Sequence, residues 1–181
     1  MKYYAGIGSR ETPDPILRMM YTIALRLSSH QYILRSGGAP GADTFFEKGA
    51  FFEDEYKQIF LPWKGFNGNR SNLWYIPPEA FEITARYHPA WKRLNEPARK
   101  LMARNAQQIL GENLDTPVEF VICWTPDGCT RHETRTKETG GTGQAISIAS
   151  SHGIPVYNLK NEIDQQLIVE MLDYLEHIRS I

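Results

Sequence analysis

Three short stretches carry the residue types that grip an anion: Gly6-Ile7-Gly8-Ser9-Arg10, Ser36-Gly37-Gly38-Ala39-Pro40-Gly41-Ala42-Asp43 and Thr139-Gly140-Gly141-Thr142-Gly143-Gln144. Glycine lets main-chain N–H groups approach an anion with no Cβ in the way. A helix that begins straight after such a loop adds its dipole and its unpaired first-turn donors. The expected phosphate-binding set is therefore Gly8, Ser9, Gly37, Gly38, Gly140, Gly141 and Gly143. The hydroxyls of Ser36, Thr139 and Thr142, the amide of Gln144 and a charge-assisted contact from Arg10 join it. None of the loops matches the G-x-x-x-x-G-K-[ST] of P-loop NTPases. Gly6-Ile7-Gly8 also lacks the third glycine of the dinucleotide fingerprint, because Glu11 follows Arg10.

Two carboxylates, Asp43 and Glu47, stand four residues apart and so share one helix face beside the second loop. Asp43 has two readings: contact with a ribose hydroxyl, or capture of its own helix's first N–H groups. Trp63, Phe66, Trp74 and Tyr75 sit among Lys64, Asn67, Asn69 and Arg70, where rings and cations can stack a base and neutralise phosphate, or pack the loop down. Trp63 is the base-stacking candidate there. Trp124, after the clearest central strand, is a second stacking surface or a core residue. Lys92, Arg93, Arg99, Lys100 and Arg104 form a basic stretch, read as a nucleic-acid face or a solvated helix face. Cys123, Cys129 and His132 have no fourth ligand nearby, so no metal is expected; no cofactor is expected either.

The elements that must position these residues follow from periodicity. Strand-like runs fall at 2–7, 32–34, 58–61, 118–124 and 154–159. Helical spacing marks 16–27, 42–52, 79–86, 97–110, 143–151 and 163–178, and 62–78 reads as a long loop. Thr12 and the prolines after it signal the first helix start. Strands alternating with helices imply right-handed βαβ units and a mostly parallel, doubly wound, Rossmann-like α/β sheet flanked by helices, with ligands beyond the carboxyl ends of its strands. At 181 residues and 41% hydrophobic content a single domain over 1–181 is expected, with 62–113 a variable loop and helical insertion. A net charge of −1 exerts no global pull on nucleic acid or membrane. Two cysteines and no long apolar run point to a reducing cytoplasm.

YAGIGSR (4–10), LRSGGAPGADTFFEKGA (34–50), CWTPDG (123–128) and TGGTGQAISIASSHGIPVYNL (139–159), in that order, resemble the SLOG superfamily. That group takes in the Rossmann-like domain of DNA-processing protein DprA, the YspA-like proteins and the LOG-like phosphoribohydrolases, with small phage-encoded members among the similar proteins. The likeness covers most of the chain and is thinnest over 62–113. It implies a nucleotide-binding protein, often a homodimer or higher homo-oligomer, whose Ser36-Gly37-Gly38 and Gly140-Gly141-Thr142-Gly143 loops contact phosphate and ribose.

Some relatives hydrolyse the N-glycosidic bond of nucleoside 5′-monophosphates through an oxocarbenium-like state that a carboxylate stabilises. That reading makes Asp43 and Glu47 the catalytic candidates, with Glu133 and Glu138 behind them. One departure stands out: against the LOG pattern P-G-G-x-G-T-x-x-E, Thr139 replaces the proline, Gln144 the threonine and Ser147 the glutamate. Three functions are therefore carried forward. They are a nucleoside monophosphate glycosidase, a non-catalytic binder of a nucleotide-derived signal, and a DprA-like single-stranded DNA-binding mediator.

Overall fold

The computed structural model describes residues 1–51 and 53–179. Its elements run β1 (Lys2–Gly6), α1 (Asp14–Ser29), β2 (Tyr32–Ser36), α2 (Ala42–Gly49), β3 (Lys57–Ile59), α3 (Pro78–Tyr87), α4 (Glu96–Leu110), β4 (Phe120–Cys123), α5 (Thr142–Ser151), β5 (Val156–Asn158) and α6 (Glu162–Arg179). The five strands lie in the order β3-β2-β1-β4-β5. All four pairings are parallel, with Tyr3 opposite Ile33 and Tyr4 opposite Phe120. The chain winds outward from β1 to β3, crosses back, and winds outward again through β4 and β5. The topological switch point thus falls between β1 and β4, where an open α/β sheet places its ligand crevice.

Side-chain alternation along the strands divides the core in two. Tyr4, Leu34, Phe120 and Ile122 face a layer with Met20 and Leu27 of α1, Phe46 of α2 and Leu172 of α6. Ala5, Val121 and Cys123 face the opposite layer, with Ala106 and Ile109 of α4 and Ile146 and Ile148 of α5. Successive residues of a strand point to opposite faces, so a parallel strand buried on both sides reads as a continuous apolar run. Phe120-Val121-Ile122-Cys123 is such a run, every residue buried. Among the described residues no helix is long and apolar enough to cross a membrane.

Several local features depart from the periodicity reading. The Thr12 side chain does not cap α1; Pro13 is the N-cap, and the Thr12 hydroxyl donates to the Ser9 carbonyl at 2.7 Å, closing the β1–α1 loop. Helix α2 stops at Gly49; its expected end at Phe52 lies outside the described residues. The stretch 62–113 is the crossover from β3 to β4. Its second helix, α4, contributes buried Ala103, Ala106 and Ile109 to the core. Trp124 sits in the first core layer at 7% exposure, which leaves its ring packed instead of open for stacking.

Gly6, at the carboxyl end of β1, is needed for close approach: a Cβ there would lie 2.6 Å from Phe46 and 2.8 Å from Leu34 side-chain carbons. Because both neighbours are fully buried, neither can swing away. Gly6→Ala is expected to destabilise the fold by about 1–3 kcal/mol through overpacking, measured as a lowered urea midpoint at unchanged m-value.

Candidate functional site

The loops after β1 and β2, the helix α4 and the loop leading into α5 enclose a cleft of about 440 Å³ at the carboxyl edge of the sheet. That volume lies within the roughly 300–1,000 Å³ usual for small-ligand sites. Gly8, Ser9 and Arg10 line it from the first loop, and Asp43 from the start of α2. Thr139, Gly140, Gly141 and Thr142 line it from the third loop.

The first two loops converge on an anion, and that anion is the chain's own Asp43. Its carboxylate, 4% exposed, accepts the Ala39 N–H at 3.3 Å, and the Gly8 and Gly37 N–H groups also bear on it. Arg104 of α4 brings its guanidinium to 3.9 Å from the same carboxylate and donates to the Gly37 and Phe60 carbonyls. Burial pushes the Asp43 carboxyl above its ordinary pKa, opposed in part by Arg104 and by these three amides. Burial draws the Arg104 guanidinium down, opposed by Asp43 and reinforced by nearby Arg10. Gly37 is glycine because Arg104 and Gln108 pack where a Cβ would stand.

The third loop is held differently. Asp127 accepts the hydroxyls of Thr125 at 2.8 Å and of Thr136 and Thr139 at 2.6 and 2.5 Å, together with the Cys129 N–H. Burial alone would raise its pKa, but these donors outweigh it and hold the carboxyl below the ordinary range. So anchored, the loop turns at Gly140 (φ 65°) and opens into α5, which has no side-chain cap. The main-chain N–H groups of Gly141 and Thr142 take no hydrogen-bond partner among the described residues, and both residues line the cleft. A helix N-terminus in this state attracts negative charge.

Glu138, a reserve candidate of the sequence reading, lines the cleft as well, and the remaining expected site residues lie off its wall. Ser36 Oγ, fully buried, donates to the Gly6 carbonyl at 2.6 Å. Gly38 packs on Leu61 and Ile59, and its carbonyl accepts from Asn67. The Gly143 N–H is spent on the Gly140 carbonyl, and Gln144 donates to the Thr84 carbonyl at 3.0 Å. The Glu47 carboxylate is engaged by Asn69, whose Nδ2 donates to both its oxygens, at 2.9 and 3.0 Å. Ser147, fully buried, is engaged by His132 Nδ1 at 2.9 Å and by Arg135. Trp63 is 38% exposed and meets Phe66 edge-on at 5.2 Å, and Phe66 in turn lies under the Arg104 guanidinium at 5.5 Å. Among the described residues no group of three or more His, Cys, Asp or Glu could hold a metal ion.

Helix α4 supplies what the sequence reading missed. Arg104, expected on a nucleic-acid or solvated face with its basic neighbours, is 6% exposed and turned into the cleft. Asn105 and Gln108 line it too, beside Leu101 and Met102. Leu101, Arg104, Asn105 and Gln108 occur at i, i+3, i+4 and i+7, the spacing of a core-facing stripe, and three of the four are polar. That mismatch was the available signal.

No family model matches the chain, and no curated protein matches it. Among solved structures, that of DNA processing protein A from Helicobacter pylori, described for its single-stranded DNA binding mode, superposes with a TM-score of 0.57. The match covers 99% of this chain and 80% of that one at 15% identity. The fold is DprA-like. At that identity the likeness is one of architecture.

Removing Arg104 leaves Asp43 buried without a counter-charge. Arg104→Met is expected to cost about 3–5 kcal/mol, and the double variant Asp43→Asn/Arg104→Met to recover most of it. Urea denaturation of the four proteins in a double-mutant cycle measures the coupling; additive losses would show that the pair does not act as a unit.

Proposed function

We propose that this chain binds a nucleotide unit by its phosphate in the rim cleft, and that the unit is presented as part of single-stranded DNA. The observation that carries the reading is the α5 N-terminus, whose free Gly141 and Thr142 amides share one cleft with Arg10 and Arg104. Asp43 already offsets Arg104, so the exposed Arg10 and the helix end are the positive features left for a ligand. A phosphate is the anion such donors suit, with Arg10 adding a charge-assisted contact.

Two features favour a strand over a free nucleotide. The DprA-like neighbour is described as binding single-stranded DNA. Trp63 lies outside the cleft wall, one ring beyond the Phe66 that underlies Arg104, so a strand that extends past the cleft on that side meets an exposed indole on which a base can stack. The near-neutral chain adds no broad attraction, so affinity rests on these local contacts.

Binding without turnover fits the carboxylates better than N-glycosidic hydrolysis. Asp43 lines the cleft but is engaged by amides and Arg104, Glu47 faces Asn69, and Glu138 stands on the cleft wall with no side-chain hydrogen bond among the described residues to set it as an acid or base. Nucleoside monophosphates incubated with the protein should come through chromatography intact, and released base would overturn this point.

Fluorescence anisotropy with a labelled oligodeoxynucleotide tests the main reading. Saturable binding is expected, with log affinity falling against log salt by about 0.7 for each phosphate neutralised. Arg10→Ala should weaken binding several-fold and make that slope shallower. Absence of binding at low salt to single strands and mononucleotides alike would sink the proposal.

A further inference from the structure

Two buried polar atoms on the cleft-facing stripe of α4 have no partner: the donor Arg104 Nε and the acceptor Gln108 Oε1. Gln108 is 1% exposed and Arg104 6%, and both residues line the cleft. Asn105 between them, 7% exposed, also makes no side-chain hydrogen bond among the described residues. Native interiors seldom leave such groups unmet, and an orphaned donor beside an orphaned acceptor calls for a complement of the opposite pattern. The flanks of this polar strip are apolar: Leu101 and Met102 from the same helix and Ile7 from the end of β1. Both orphaned atoms are closed to solvent in the folded chain, so a ligand pairs with them only as the Arg104 and Gln108 side chains turn into the cleft they line. A flat heteroaromatic ring with donors and acceptors on its edge matches the polar strip and the apolar walls together.

We propose that Arg104, Asn105 and Gln108 form a base-reading subsite, in which the hydrogen-bonding edge of a nucleobase meets the α4 polar strip while Leu101 and Met102 cover its face. The inference rests on the nucleotide reading and extends it: the phosphate-binding end lies at Arg10 and α5, and the base-recognising end lies on α4. An edge that offers an amino or ring N–H to Gln108 Oε1 and a ring nitrogen or carbonyl to Arg104 Nε completes the pattern. Asn105, with one donor group and one acceptor, can pair to either side of it.

Isothermal titration calorimetry compares deoxyribose 5-phosphate with the four deoxynucleoside 5′-monophosphates. At least one nucleotide is expected to bind about tenfold tighter or more than the sugar phosphate, the scale of one or two hydrogen bonds made in a water-poor site. Gln108→Leu should cut that ratio to about threefold or less. It should leave the melting temperature unchanged or raised, because the Gln108 carbonyl oxygen it removes makes no hydrogen bond in the folded chain. Asn105→Ala provides a second variant with the same expected fall in the ratio. Equal affinity for all five ligands, or a ratio unmoved in both variants, overturns the subsite while leaving phosphate binding intact. Failure of the sugar phosphate, every nucleotide and the labelled oligodeoxynucleotide to bind removes the nucleotide reading itself, and the subsite with it; failure of the five small ligands alone overturns the subsite.

Discussion

The rim of this protein is organised around one buried ion pair, Asp43 with Arg104. Asp43 comes from the first turn of α2, Arg104 from the middle of the crossover helix α4. Between them lie the Gly37 carbonyl at the end of β2 and the Gly8 amide beyond β1. Neither charge could be held out of water alone, since an unpaired buried ion costs several kcal/mol. Each therefore requires the other. Gly37 has no side chain because the Arg104 guanidinium stands where its Cβ would be, and Gly8 because Ala42 and the Trp124 backbone crowd that position. Through this pair, three segments distant in sequence are locked into one wall.

That arrangement divides the glycine loops by role. The amides at Gly8 and Gly37 and their neighbour Ala39 serve an internal carboxylate, which spares the site the cost of orphaned donors when no ligand is present. The α5 loop does the reverse. Asp127 engages the Thr136 and Thr139 hydroxyls, fixes the turn at Gly140 and leaves the first amides of the helix uncovered. One glycine loop is filled by the chain itself, and another is held open by a carboxylate standing behind it. Charge follows the same division: Arg104 is compensated within the fold, while Arg10 on the exposed loop is free of an ion-pair partner among the described residues.

Much of the fold was legible in the sequence because the signals were local. Phe120-Val121-Ile122-Cys123 has the all-apolar character of a strand covered on both faces. The stripe of Ile168, Leu172 and Leu175 in α6 has helical spacing. Turn glycines marked where the strands stop. The site was legible only in part. Glycine types signalled tight loops at the right edge of the sheet, but the same composition serves a phosphate, a carboxylate of the chain or a close packing contact. Trp124 and Trp63 looked alike as rings after strands, yet one fills the core and the other stands half out of it.

The sequence by itself determined the alternation of strands and helices and hence a parallel sheet with its loops on a common rim. Those outcomes depend on the periodicity of neighbouring residues. Only the tertiary structure decided which groups the loops would face. Whether the Gly37 region receives Arg104, whether Glu47 meets Asn69, and whether Arg104 meets solvent or a buried carboxylate all depend on residues far apart in the chain. Sequence spacing carries no distance across a crossover, so a basic residue on α4 reads the same whether its helix face turns outward or into the cleft. Burial then converts an ordinary arginine into the centre of the site.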